Sequence, residues 1–288
     1  NMKNINTLIK DLEDVLLGVG GWNEAISSEM GKAVSDTALA RFSKPQAPRG
    51  YLSLSGVGTD CDRKLWYKVN KAEEGIKFKA EKYLMFFYGD MIEELILAMV
   101  KASGHSCEGM QDKLSVHGIK GHRDAVIDGM TVDVKTASPF SFKKFKEGKL
   151  REEDPFGYVS QLSSYVYAGK EDPLVTNKNE GAFLVINKVT GEMCLDKYDF
   201  SKELKTKKKD MLYAKSLVAG KIPDERISPV PASKTSPNTK LARACTFCDF
   251  KNLCWPNARK FQYSYGIEYL VHVEKEPNVE EIFDVEGG

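Results

Sequence analysis

The stretch GHRDAVIDGMTVDVKTAS, residues 121 to 138, constrains the fold more than any other part of the chain. Asp128-Gly129 between strand-like residues is a strong hairpin signal, because a type I′ turn needs positive φ at both central positions. A two-residue loop there sets Asp124 opposite Asp133 and His122 opposite Lys135. Cross-strand partners share a face, so Ala125, Ile127, Val132 and Val134 make up the other, apolar face, and burial specifies the register together with the turn. The polar face then holds two acids and a lysine. Like charges directly opposite one another destabilise paired strands. Two readings follow: a solvated face whose acids happen to be paired, or a site that takes a divalent cation.

The 288 residues can bury a full-sized core. With 42 basic against 41 acidic residues and a net charge of +1, whole-chain charge makes no case for nucleic acid, and any basic footprint must be local. Two such runs exist, FKKFKEGKLR (142 to 151) and KELKTKKKD (202 to 210), each of which also suits a solvated face. No apolar run reaches bilayer length and no signal peptide is read at the N-terminus, so the expected location is the cytoplasm, with no membrane partner. In a reducing compartment, six cysteines point to metal or chemistry before disulfides.

Along the chain, residues 1–50 read as a helical N-terminal cap ending in the loop SKPQAPRG, and TDCDRKLWYKV as a helix start with Thr59 as N-cap. A long helix is expected from Glu81 to Ser103, stopped by Gly104. The hairpin, a basic and aromatic loop, a helix containing YVSQLSSYVYA, a second hairpin over 181 to 200 and a basic helix from Ser201 to Ala219 follow. Residues 51–220 thus form one core, 221–240 a linker or lid, 241–272 a cysteine region, and 273–288 an acidic tail that is frayed or binds a partner.

Gly121 with Asp124, Asp133 with Lys135, and Gln161 with Tyr165 stand in an order and spacing that resembles the PD-(D/E)XK nucleases, in particular the RecB-like exonuclease branch. GDMIE adds Gly89 and Glu93, one helical turn apart on one face, similar to the upstream Gly-x-x-x-His or Glu of that branch. The resemblance implies an α/β fold with a restriction-endonuclease-like core, a central mixed β-sheet flanked by helices, a helical N-terminal cap and a C-terminal iron-sulfur subdomain. It also implies that Glu93, Asp124, Asp133 and the Val134 carbonyl hold Mg2+ or Mn2+, that Lys135 orients the attacking water, and that Gln161 and Tyr165 order the site. Tyr165 equally suits an apolar core stripe with Tyr158 and Leu162.

Cys245, Cys248 and Cys254 form a C-x2-C-x5-C cluster, and Cys61 stands far upstream in DCDRKLWY. One distant N-terminal and three clustered C-terminal cysteines are similar to the iron-sulfur staple of AddB-type nucleases and of CRISPR-associated adaptation exonucleases, which implies a 4Fe-4S cluster. Four thiolates also suit Zn2+. Cys107 and Cys194 have no partners at metal spacing and read as buried hydrophobes.

The expected activity is metal-dependent exonucleolytic hydrolysis of DNA, single-stranded or with free ends, in recombination, repair or DNA processing, leaving a 5′-phosphate and a 3′-hydroxyl. Prespacer trimming in CRISPR adaptation, and a non-cutting DNA-binding or anti-defence role on the same fold, are the alternatives. Compact RecB-like proteins often come from phages, and a second copy or a recombination or adaptation protein would be the partner. Arg63, Lys64, Trp66, Lys143, Lys144 and Lys146, interleaved with aromatic residues, are the candidate DNA contacts by charge and stacking.

Overall fold

Ala125, Ile127, Val132 and Val134 are buried together in one core, as their alternation requires, and the sheet that carries them organises the larger of two compact units. The structure, a computed structural model, describes residues 3–45 and 47–283. In chain order the helices and strands are α1 (Leu8–Leu16), α2 (Glu24–Phe42), α3 (Asp62–Asn70), α4 (Ala80–Ala102), β1 (Cys107–Glu108), β2 (Lys113–Val116), β3 (Ile119–His122), β4 (Ala125–Ile127) and β5 (Met130–Ala137). They continue with α5 (Pro139–Lys146), α6 (Tyr158–Ala168), β6 (Glu180–Asn187), β7 (Met193–Asp199) and α7 (Glu203–Ala219). Short elements close the chain: β8 (Val230–Pro231), β9 (Thr239–Lys240), α8 (Arg243–Thr246), α9 (Lys251–Cys254), β10 (Arg259–Tyr263), β11 (Gly266–His272) and β12 (Glu281–Ile282).

The chain is mixed α/β. In the larger unit (1–47, 52–58 and 78–214) a five-stranded sheet runs β1-β4-β5-β6-β7, with β5 and β6 parallel and the other pairs antiparallel. A parallel pair needs a long crossover, and α5 and α6 supply it. One sheet face packs Val132, Val134, Ala182 and Leu184 against Leu8 and Leu12 of α1 and Ile96, Leu97 and Val100 of α4. The other packs Phe183, Val185 and Ala137 against Phe142 and Phe145 of α5 and Leu162 and Val166 of α6. A third core gathers Leu54, Val57, Ile119, Tyr165 and Met211.

Several expectations change. Leu8 and Leu12 are wholly buried, each contributing about 1.5–3 kcal/mol, so α1 is part of the core, not a separate cap. The basic and aromatic loop is helix α5: Ser138 caps it by accepting the Ser141 N–H at 3.3 Å, and Pro139 takes the first turn, where no N–H is needed. The N-cap of α3 is Cys61, whose sulfur accepts the Lys64 N–H at 3.4 Å, and not Thr59.

The smaller unit (48–51, 59–77 and 215–288) has its own five-stranded antiparallel sheet, β12-β10-β11-β9-β8. The expected linker at 221–240 therefore supplies strands β8 and β9. The acidic tail is also structured as far as it is described: β12 pairs with β10, and Arg259 binds Glu276 and Glu281, while residues 284–288 lie outside the described part. Among the described residues no helix is long and apolar enough to cross a membrane.

Candidate active site

The hairpin has the register the turn demands: Ala125 pairs with Val132, Val126 with Thr131 and Ile127 with Met130 around Asp128 and Gly129, both at positive φ. It is shorter than expected. β4 begins only at Ala125, and the preceding residues turn away as β3, where His122 pairs with Lys113 of β2 and not with Lys135. The cause is Arg123, which is 1% exposed. Its guanidinium reaches Asp112 at 2.8 Å, Asp172 at 2.7 Å and the Gly109 carbonyl at 3.2 Å, so satisfying a buried cation bends the chain between the two ladders.

Asp124 is left at that bend. Instead of standing across the ladder from Asp133, it accepts the Val134 N–H on Oδ2 at 2.8 Å and so covers the edge of β5 beyond the last β4 pair. N–H and C=O of one strand residue point to the same edge, so the Val134 carbonyl faces that edge too. Asp133 is 5% exposed and its Oδ2 lies 2.5 Å from Lys135 Nζ, which stands 5.4 Å above the Tyr158 ring. The polar face is therefore not a solvated one, because Tyr158 of α6 covers it.

Glu93 comes from α4, and its Oε1 accepts the Gln111 side-chain amide at 2.6 Å. Burial, followed by the charges of Asp124 and Asp133, pushes the Glu93 carboxyl well above the usual range. Burial and then Asp133 push Asp124 up as well, with Lys135 and the Val134 N–H opposing. Burial is the largest single influence on Lys135 and works against its charge, but Asp133 and Asp124 together hold the ammonium above the ordinary lysine range. Three acids and one lysine, from α4, from the bend before β4 and from β5, thus share one electrostatic environment. A Cβ on Gly89 would lie 3.6 Å from Thr136 Oγ1, an ordinary contact, so the glycine lets α4 lie close to β5 without being sterically obligatory.

Gln161 sits half-buried one turn before Tyr165 on α6. Tyr165 belongs to the third core and packs against Gly121: a Cβ there would meet Leu54 Cβ at 2.9 Å and Tyr165 Cε1 at 3.0 Å. Tyr165 is thus a core residue, but with Leu54, Val57, Ile119 and Met211 and not in the expected stripe with Tyr158 and Leu162, which belong to the second core. Sequence reasoning missed Gln111, Arg123 and the Tyr158 ring over Lys135.

Among the proposed DNA contacts, Arg63 is 7% exposed and is not available on the surface. Its Nη1 donates to the Pro223 carbonyl and its Nη2 to Tyr67 Oη, and Cys254 stands beside it. Lys64 and Trp66 are half-buried in the same helix, with the Trp66 indole donating to the Gly220 carbonyl at 2.9 Å. On α5, Lys143 is exposed and lies 3.7 Å from Glu147, Lys144 pairs with Glu153 and Lys146 with Glu192, while Phe142 and Phe145 are core residues and offer no stacking surface.

In the smaller unit Cys61, Cys245, Cys248 and Cys254 interact with one another: burial pushes the Cys245 thiol up to about 11, with the three other sulfurs adding to it. Burial raises Cys248 too. The Trp255 indole N–H is directed at Cys245 and the Arg63 guanidinium at Cys254. As the side chains stand, no three His, Cys, Asp or Glu residues among those described are drawn to metal-ligating distance, in the acids or in the cysteines.

No protein-family model and no curated protein matches the chain. Solved structures do match; one, described as "Crystal structure of SSO0001", is 12% identical and covers 81% of this chain and 96% of its own, with a TM-score of 0.38. A likeness of that degree carries no argument about activity.

Proposed function

We propose that the chain is a divalent-metal-dependent deoxyribonuclease of the PD-(D/E)XK type, acting as an exonuclease on single-stranded DNA or DNA ends. The observation that carries this reading is that Glu93, Asp124 and Asp133 are near enough to act on one another's charge where β4 stops pairing with β5, with Lys135 in contact with Asp133. The donor set fits Mg2+ or Mn2+: three carboxylates and the Val134 carbonyl are hard oxygen ligands, and buried acids beside one another favour a cation. Such an ion, when bound, polarises the scissile phosphate and lowers the pKa of a bound water.

In this reading Lys135 supplies the fixed positive charge. Its ammonium, held charged by Asp133 and Asp124 and positioned over Tyr158, points donors at the attacking water and at charge developing on the phosphate. Asp124 sets the edge of β5 by holding the Val134 N–H. Lys64, Trp66, Lys143, Lys144 and Lys146 are the proposed strand contacts, Arg63 being withdrawn because it is buried. The test is digestion of linear and circular DNA, single- and double-stranded, with Mn2+, beside Asp133→Ala and an EDTA control. Cutting of linear but not circular substrate, abolished by both controls, is the expected outcome; no cutting by folded protein refutes the reading.

For the four cysteines we propose a 4Fe-4S cluster, with Zn2+ as the alternative ligand for the same thiolates. Two buried side chains directed at these sulfurs, the Trp255 indole at Cys245 and the Arg63 guanidinium at Cys254, suit thiolate ligands. Iron and zinc analysis with visible absorbance of the purified protein separates the two.

A further inference from the structure

Gln111 adopts φ 55°, a left-handed conformation uncommon for a residue with a side chain. The turn around it is firmly built. Gly109 is also left-handed, at φ 57°, and a Cβ there would collide with the Arg123 guanidinium, which grips the Gly109 carbonyl and the Asp112 carboxylate. The Asp112 carbonyl accepts the Arg123 backbone N–H at 3.2 Å, and Met110 packs on the first core. The result is that Gln111 contacts two separate acids. Its backbone N–H donates to the Asp124 carbonyl at 3.1 Å, and its side-chain amide donates to Glu93 Oε1 at 2.6 Å.

We infer that Gln111 is a positioning residue of the metal centre, its backbone fixing the bend that carries Asp124 while its amide holds one oxygen of Glu93 and turns the other toward the shared site. The inference rests on the nuclease reading, in which Glu93 is a metal ligand. The two bonds come from one residue, so the α4 acid and the Asp124 bend are tied by a link that runs through neither β4 nor β5. Once a cation has ionised Glu93 this bond becomes charge-assisted and orients the ligand carboxylate, and the loss of such a partner typically weakens metal affinity by 10- to 100-fold. A glutamine suits this position because it donates to a carboxylate at every pH and adds no charge to a site already rich in acids.

The amide and the backbone can be tested apart. Gln111→Gly keeps the N–H and adopts the positive φ freely, but removes the amide; Gln111→Ala also removes it; Gln111→Asn tolerates the left-handed region and shortens the reach. Mn2+ binding to the full-length protein is titrated by electron paramagnetic resonance of the free ion, beside Glu93→Ala as a reference. The expected result is an Mn2+ dissociation constant raised about tenfold in Gln111→Gly and Gln111→Ala, with Gln111→Asn between these and the parent. Affinities within twofold of the parent in both truncations, while Glu93→Ala still weakens binding, overturn the inference and leave the site reading standing. Mn2+ binding that Glu93→Ala does not change overturns the reading and the inference together.

Discussion

Lys135 Nζ lies 2.5 Å from the carboxylate of Asp133, two residues earlier on the same face of β5. The ammonium is held charged by the acids it serves, so its removal takes positive charge out of a site crowded with carboxylates. Lys135→Ala is expected to cut DNA hydrolysis by at least about 100-fold, the scale of losing one preorganised donor, while Mn2+ binding persists. Steady-state rates beside the Mn2+ titration check this; equal activity refutes the role of Lys135.

Stability should fall as pH rises. Asp124 is pushed up to about 7 and Glu93 to about 9, first by burial and then by neighbouring carboxylates. Both stay protonated in the fold where an unfolded chain would already have ionised, so their favourable contribution is complete below about pH 4 and is lost between there and about pH 9. In EDTA, the thermal midpoint should drop between pH 6 and pH 9. Mg2+ or Mn2+ should recover more of it at the higher pH, and Glu93→Gln should flatten the dependence. A midpoint in Glu93→Gln that follows the parent curve contradicts the assignment.

His105 is fully buried in its side chain between two acids, with Nδ1 2.6 Å from Asp128 and Nε2 2.9 Å from Asp11. It ties α1 to the turn of the β4-β5 hairpin, a structural role with no part in the proposed chemistry. His105→Ala removes one hydrogen bond from each carboxylate, while Asp11 keeps Lys3 and Asp128 keeps the Ser106 N–H, and is expected to cost about 1–3 kcal/mol, read by urea denaturation. A loss below about 1 kcal/mol would mean that water replaces the ring without penalty.

Gly121→Ala places a methyl group 2.9 Å from Leu54 Cβ and 3.0 Å from Tyr165 Cε1. Overpacking of this kind costs about 1–3 kcal/mol. Leu54 Cδ1, at 3.1 Å, is the removable part of the opposing wall, so Gly121→Ala with Leu54→Ala is expected to be less destabilised than the sum of the single changes, a coupling that a double-mutant cycle measures.

The cysteines provide their own control. Cys61→Ser and Cys245→Ser should purify without iron or zinc and melt earlier, since a metal joining residues so far apart in sequence contributes folding free energy. Cys107 and Cys194 pack on the two sheet cores and are raised by burial to about 11 and about 12, so Cys107→Ser and Cys194→Ser should keep the metal. Equal metal content in all four variants would exclude the cysteine site.

Much of the fold is legible in local pattern. The Asp128-Gly129 turn, the apolar set Ala125, Ile127, Val132 and Val134, and the long helix that carries Glu93 follow from turn chemistry and periodicity, which depend on near neighbours alone. Helix α5 was missed because lysines hid its cap, although Ser138 followed by Pro139 is a start signal. The C-terminal hairpin β10-β11 was missed because its strands are short and only part-buried.

By itself the sequence determined which residues are chemically able to form a site: Asp124, Asp133 and Lys135 are named by turn register and type, and Glu93 and the set of four cysteines by resemblance to a known family. The tertiary structure alone decided how they stand. That Asp124 leaves the ladder to cap Val134, that Arg63 is buried with the cysteines, that Tyr165 is core, and that Gln111 joins Glu93 to the Asp124 bend all depend on where buried polar groups find their partners. Such partners are distant in the chain, and desolvation makes their pairing obligatory only after the surrounding elements have packed.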